Sequence, residues 1–555
     1  MDDPAAASRS LKVEIGAGED VIAALSRDGA SDRAADLVRA ALARMMDELG
    51  LPGSATVQLV AIDTGSHIEV GTGGATRAFP GALEYARARN VGESRPPITM
   101  LPLELAESLA SAVIEIVGHD PAILLGRDQV AMYRQSLDID GVGAIPDDDG
   151  WLRSVLSPVV GAGISIGSRA EVGETLLSGS KAGLAPEDLA EALIDALAPG
   201  LVEIHLPEVD ARNLTLGATD DDRSVMSTIR TGPLLSMGVR FPRLTFVRDA
   251  QLAPGSYQVR LNHVTTQPWR GIAPHEVFVA ASPDALEMPA RAALDPRDGS
   301  TGSVVDAGSA ATLGNSDFEV YRPMGHLGLC LGHELAGRAR WFVQRSTVAE
   351  KLDRLGLLYP RLVQAVRRRW PDERVTQVLR ELVSEHIPIL DQEWFMDRLM
   401  RFDWTVVPTS SSIVLDDVLA TVGHKDPSGD RAALAAFVRQ GLAVMTDLSG
   451  LDHPDARAFV LDEDLEAELV RSLRSVSTNP AAAIEIATLD RLRASIVDML
   501  PAGVSDLPLL VSTFEIRRLC RMVVPFGWGR LPIHSRAEWP RGMNVEEVRV
   551  ISLQG

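Results

Sequence analysis

Cysteine is nearly missing from this 555-residue chain: Cys330 and Cys520 are the whole complement. Two thiols build neither a disulfide framework nor a four-ligand zinc site, and both stand in apolar-rich stretches, so buried, inert thiols are expected. No run approaches the roughly 18–20 uninterrupted apolar residues that a membrane-spanning helix needs. The best candidate, LASAVIEIVGHDPAILLG, is broken by Glu115, His119 and Asp120. The opening MDDPAAASRS carries acid and no apolar core, which is not the pattern of a signal peptide. Basic residues are outnumbered, 54 against 76, for a net charge of -22. Such a surface repels phosphate backbones and anionic lipid and suits basic or amphipathic protein partners instead. These absences point to a soluble cytoplasmic protein that needs no cofactor and no metal.

What is present is globular. Apolar residues make up 46% and charged residues 23%, and the length suits three to five domains. The first clear helix covers roughly 31–49, with Val38, Leu42, Met45, Met46 and Leu49 on one face at the 3.6-residue period and Gly50 as its stop. Two strand-like runs follow, TVQLVAI and HIEVG, and read as a hairpin across Asp63-Thr64-Gly65-Ser66.

A similar order recurs. Gly238 matches Gly50 and leads into a strand, a Pro254-Gly255 turn and an alternating strand. LLGRDQV matches FVQRSTV at Arg127/Arg345 and Val130/Val348, and WLRSVLSPVVGAGISI matches RVTQVLRELVSEHIPI at Val155/Val378, Leu156/Leu379, Ile164/Ile387 and Ile166/Ile389. Collinear matches at a drifting offset suggest a diverged duplication, with extra residues in the second copy between its strands and its next helix. Each Ile-x-Ile segment reads as an extended turn between two helices. After Asp403, helix patterns at 430–445 and 488–500, the strand-then-helix ARAFVLDEDLEAELVRSL and the strands LPLLVS, RLPIHS and EEVRVISL argue an α/β module with a partly parallel sheet.

The residues of the second half resemble the FHIPEP family, the large export-gate component of flagellar and virulence type III secretion systems (the FlhA type). The resemblance is carried by GVRFPRLTFVRDAQLAPGSYQVRLN, HLGLCLGHELAGRARWFVQRSTVAEKLDRL, VTQVLRELVSEHIPILDQEWFMDRL and the closing LPLLVSTFEIRRLCRMVVPFGWGRLPIHSRAEWPRGMNVEEVRVISL. It covers roughly 202–553 and rests on collinearity. On this reading no counterpart of the family's membrane domain is expected in this sequence, and a degenerate copy of the soluble part is expected in its place. The expected architecture is a multi-domain α/β and α+β chain of partly duplicated cytoplasmic modules. Its divisions are a degenerate first sheet/helix module (1–138), its helical module (139–200), a second sheet/helix module (201–264), an inserted subdomain (265–320), a helical module (321–402) and a C-terminal α/β domain (403–555).

Chemical motifs are few. GISIG (163–167) fits the G-x-S-x-G nucleophile elbow with Ser165 as nucleophile, but the second copy carries Pro388 at that position and an inter-helix turn explains the glycines. GAGISIG has its glycines misplaced for a dinucleotide loop, and GTGGAT lacks a P-loop lysine. His333-Glu334 opens an H-E pair, yet Gly337 occupies the place of the second zinc ligand; His326 and His333 lie on one helical face. Arg367-Arg368-Arg369 before Trp370 reads as a solvated helix end, with contact to an acidic neighbouring subunit as the other reading. The runs Asp147–Asp149 and Asp220–Asp222 read as acidic linkers opening helices.

The resemblance implies a docking platform for chaperone- or export-component-like proteins, working as a homo-oligomer, and it implies that the inserted segment helps form the docking cleft. Trp269, Phe278 and Phe318, set there among proline, glycine and alanine, are the expected partner-docking anchors, though the same rings could pack a small core. The function expected is therefore a non-enzymatic scaffold. The alternatives are a regulatory partner of an enzyme or ATPase that has lost secretion, and a serine hydrolase using Ser165.

Overall fold

The computed structural model describes residues 10–27, 29–62, 68–72, 75–79, 82–91, 100–137, 145–207, 237–242, 244–253, 255–286, 288–297, 300–310, 318–384, 392–401, 455–478, 509–511, 533–536 and 544–551, with a few single positions between. The chain divides into two compact units, Met1–Leu235 with Val239–Gln344, and Ser236–Gly238 with Arg345–Gly555.

The first unit opens with β1 (Leu11–Gly18), α1 (Glu19–Leu25), α2 (Ala30–Glu48), β2 (Ala55–Ile62), β3 (Ile68–Thr72) and β4 (Ala75–Phe79). The strand order is β2-β1-β3-β4, with β1 parallel to β2 and antiparallel to β3. The hairpin expected between β2 and β3 is therefore corrected: β1 lies between them. In β1, Leu11, Val13, Ile15 and Ala17 are all buried, so the strand is a central one. Its parallel return to β2 needs a helical crossover, which α1 and α2 supply, and β3 then takes the open side of β1.

Next come α3 (Ala82–Val91), α4 (Pro102–His119), a 3-10 turn at Pro121–Leu124, α5 (Arg127–Ser136), α6 (Asp149–Gly161), α7 (Arg169–Lys181) and α8 (Pro186–Leu197). Proline at the first turn of α4 and α8 sits where its missing N–H costs nothing. The side chain of Asp148 accepts from the Gly150 N–H at the start of α6, so that acidic run does open a helix.

The strand pattern then returns. β5 (Val202–Leu206), β6 (Leu244–Arg248), β7 (Ser256–Leu261) and β8 (Val264–Thr265) are ordered β6-β5-β7-β8, again with one parallel pair, β5 with β6, and β5 antiparallel to β7. The short β9 (Trp269–Arg270) pairs with β7. An antiparallel sheet follows, made of β10 (Glu276–Val279), β11 (Arg291–Leu294), β12 (Thr301–Asp306) and β13 (Val320–Tyr321) in the order β11-β12-β10-β13. The helix α9 (Pro323–Gly337) and a 3-10 turn at Ala339–Phe342 close the unit, as α4 and its 3-10 turn do in the first half.

The second unit holds α10 (Arg345–Leu358), α11 (Pro360–Arg369), α12 (Asp372–Ser384), α13 (Gln392–Arg401), β14 (Asp455–Leu461), α14 (Glu463–Thr478), β15 (Leu509–Val511), β16 (Ile533–Ser535) and β17 (Asn544–Ile551). The last four strands form one sheet, β16-β15-β14-β17, parallel at each described pairing. Phe459, Leu465, Leu469, Ile496 and Cys520 pack its core. Both cysteines are fully buried, and burial drives both thiols far up, so neither is a thiolate at neutral pH. The run Asp220–Asp222, and the helix expected over 430–445 apart from Val438, lie outside the described residues.

One local arrangement occurs in each unit. The Ile166 N–H donates to the Leu49 carbonyl at 2.9 Å, and the Ile389 N–H donates to the Met237 carbonyl at 2.9 Å. The glycine that follows is left-handed both times, Gly50 at φ +65° and Gly238 at φ +76°. A cation closes each: Arg169 Nη2 reaches the Gly50 carbonyl at 2.9 Å, and Lys351 Nζ the Gly238 carbonyl at 2.7 Å. A Cβ on Gly50 would stand 2.4 Å from the Gly167 backbone, and one on Gly238 would stand 3.0 Å from Ile389. The close approach and the positive φ together explain glycine at both positions.

Candidate docking site and the charges beneath it

The three aromatic anchors expected from sequence fall in different places. Phe278, on the central strand β10, is fully buried against Ile272, Val304 and the flanking Tyr321 and Leu329, and forms the small core of the inserted sheet. Trp269 is 2% exposed and belongs to β9, on the preceding sheet. Phe318, one residue before the edge strand β13's flank at Glu319, remains 37% exposed, and Val320 on that strand is 43% exposed. Of the three, only Phe318 faces solvent.

The edge is braced by charge. Arg297 pairs with Asp295 at 2.7 Å and with Glu319, while the Tyr321 hydroxyl donates to Glu319 at 3.0 Å. The side-chain bonds from Arg297 and then Tyr321 hold the Glu319 carboxyl below its usual range. The two-residue edge strand β13 thus carries one exposed apolar residue, Val320, with exposed Phe318 just before it.

Beneath Trp269 lies a group of charges that sequence reasoning missed. Arg89 on α3 reaches Glu115 on α4 at 2.7 Å, Glu334 on α9 at 2.5 Å and the Gln267 carbonyl at 2.7 Å. Arg338 pairs with Glu334 and lies 3.4 Å from Glu115. The indole N–H of Trp269 donates to Glu334 at 2.7 Å, and the Arg89 guanidinium stacks 4.4 Å from the Trp269 ring. His119 lies 3.0 Å from Glu115. All four charged side chains are nearly inaccessible, and the two arginines balance the two carboxylates. Burial alone would raise both carboxyls, but Arg89 and Arg338 outweigh it and hold Glu115 and Glu334 below the usual carboxylate range. Burial and Arg338 push His119 down, leaving it neutral.

Glu115 stands four residues before His119 on α4, and Glu334 stands four before Arg338 on α9. The Arg338 Nε–H points to the Gly118 carbonyl at 3.5 Å, and a Cβ on Gly337 would meet His119 at 3.2 Å. The two helices thus meet through like positions.

The hydrolase reading does not survive its geometry. The Ser165 N–H donates to His263 Nδ1 at 3.0 Å, and the Ser165 hydroxyl oxygen accepts from the Gly167 N–H at 3.2 Å. Burial and Arg260 lower the His263 pKa, so the ring is neutral. With Nδ1 accepting, its proton sits on Nε2, which leaves His263 no basic nitrogen to take a serine proton and no place on its Nδ1 for an orienting carboxylate. His326 and His333 are pushed to about 4 by burial; the first packs on Phe278 and the second on Trp269. Among the described residues no group of three or more His, Cys, Asp or Glu could hold a metal ion, and no helix is long and apolar enough to cross a membrane.

A model of the FHIPEP family matches residues 186–544. Low calcium response locus protein D of Yersinia pestis is 22% identical over 512 residues, 85% of this chain and 68% of that protein. Hypersensitivity response secretion protein HrcV of Ralstonia nicotianae is 24% identical over 393 residues, 68% of this chain and 55% of that protein. Among solved structures, Chlamydia pneumoniae CdsV in complex with CdsO is 18% identical with a TM-score of 0.50, covering 63% of this chain and 97% of that one, a likeness of fold.

Proposed function

Because this chain belongs to the FHIPEP family, we propose that it is a protein-docking platform of a type III secretion export apparatus, a scaffold that binds partners in clefts between its subdomains and turns over no substrate. The observation that carries this reading is the unbroken family match, which takes in the second sheet module, the inserted sheet, α9 to α13 and most of the C-terminal sheet. That a relative of the same fold, CdsV, is found in complex with a second protein supports the kind of role. The partners are chaperone- or export-component-like proteins, and the docking edge is β13 with Phe318 and Val320. Phe278 serves from inside, packing against Tyr321 of this edge.

The repeated strand order and the repeated Leu49/Ile166 and Met237/Ile389 bonds support a second part of the proposal. Residues 1–138 and 139–200 are a first copy of the sheet and helical modules, and 201–264 with 321–402 are the second. The test is affinity purification of the tagged full chain at native expression, with a Phe318→Ser/Val320→Ser variant beside it. Recovery of small helical chaperones or export components, lost in the variant, is expected. Recovery of the same proteins at equal yield from both would overturn β13 as the docking edge; recovery of unrelated proteins alone would overturn the export role.

A further inference from the structure

A second exposed surface lies in the other unit, at the bend from α10 to α11. Leu357 is 84% exposed and Leu358 76%, and Tyr359 follows them at 38%. Consecutive leucines left in water at a helix bend contribute nothing to the fold that carries them. The inward face of α11 is already used: Val363 and Val366 are buried, and Trp370 closes it with its indole N–H on the Leu399 carbonyl at 3.1 Å.

The three arginines at the end of α11 separate by role. Arg367 is held by Asp353 at 2.7 Å and by Asp372 at 2.9 Å. Arg369 donates to the Met400 carbonyl at 2.7 Å and stacks 5.3 Å from the Trp370 ring. Arg368 is exposed and makes no such bond among the described residues, and the same holds for Arg361. Two helical turns separate Arg361 from Arg368, which puts both on the exposed face of α11, roughly 10 Å apart along the axis. This face is cationic in a chain of net charge -22.

We infer that the α10–α11 corner is a docking surface for an acidic amphipathic helix of a partner protein, Leu357 and Leu358 taking its apolar stripe while Arg361 and Arg368 pair with carboxylates two turns apart. Charge complementarity selects this occupant: an apolar ligand alone would not need the arginines, and a basic helix is repelled by them. The surface shares no residue with the β13 edge, so either can fail without the other.

The test uses the full-length chain and a fluorescein-labelled designed peptide of about 18 residues, five helical turns, with leucines at i, i+4 positions and glutamates seven apart. Anisotropy titration is expected to show saturable binding that weakens at least about ten-fold in Leu357→Ser/Leu358→Ser and in Arg361→Glu/Arg368→Glu. Salt should weaken binding to the wild type and have less effect on the charge-reversed variant. All four positions are exposed, so unchanged thermal midpoints will confirm that the variants fold. A peptide with lysine replacing glutamate should not bind, and Phe318→Ser/Val320→Ser should bind like the wild type. Equal affinity across the corner variants, or equal binding of the lysine peptide, would overturn the proposal. So would sedimentation showing self-association of the wild type that Leu357→Ser/Leu358→Ser abolishes, because the occupant would then be a second copy of this chain.

Discussion

Removal of one carboxylate from the buried four-charge group is the sharpest test of the first unit's interior. Glu334 takes Arg89, Arg338 and the Trp269 indole at once, with no measurable exposure of its side chain. Glu334→Gln keeps the shape and an acceptor for the indole but leaves two guanidiniums facing only Glu115. An uncompensated buried charge of this kind costs about 3–5 kcal/mol. Arg338→Met should cost a similar amount, since Glu115 and Glu334 would then share Arg89 alone. The double variant restores balance, with Arg89 against Glu115 at 2.7 Å. Its loss should therefore fall short of the sum of the singles by about 2 kcal/mol or more. The assay is calorimetry of the full chain, following the transition that moves with each substitution, because two units need not unfold together. Additivity within about 0.5 kcal/mol, or a loss below about 1 kcal/mol for Glu334→Gln, would refute the reasoning.

Three further outcomes follow from described geometry. His326 and His333, held at about 4 by burial, refuse protons that the unfolded chain accepts from about pH 6.5 downward. Their folded values are depressed, so stability is complete above 6.5 and is lost as pH falls toward 4, by about 2 kcal/mol per histidine at pH 5. A thermal midpoint that stays flat from pH 6.5 to 4.5, or whose slope is unchanged by His326→Leu, would contradict this. Gly50→Ala forces both a left-handed alanine and a clash with the Gly167 backbone, and should destabilise by more than about 2 kcal/mol. Gly238→Ala, with the looser approach, should cost less; the reverse order in urea unfolding would count against the contact argument.

Legibility in the sequence followed how local each signal was. The helix at 31–49, the glycine stops at Gly50 and Gly238, the strand-then-helix at β14–α14 and the Ile-x-Ile turns were all readable, because each is fixed within one or two turns of chain. The hairpin reading failed because β1 was not recognised, and strand neighbours are a long-range property that period-two alternation does not encode. Trp269 and Phe278 looked like anchors because composition around them is loop-like; only the sheets bury them. The four charges had half a signal. Glu115 interrupts an apolar run and Glu334 sits beside His333, but nothing local shows that Arg89 lies between them in space.

The same charges set an order on synthesis. Arg89 and Glu115 leave the ribosome while Glu334 and Arg338 are still uncoded chain, and at about 5–20 residues per second the gap is roughly ten to forty seconds. For that interval the first half carries one guanidinium and one carboxylate whose burial is complete only when α9 arrives. A chaperone that shields the α4 surface would act in that window, and a gene cut before α9 would leave it open permanently.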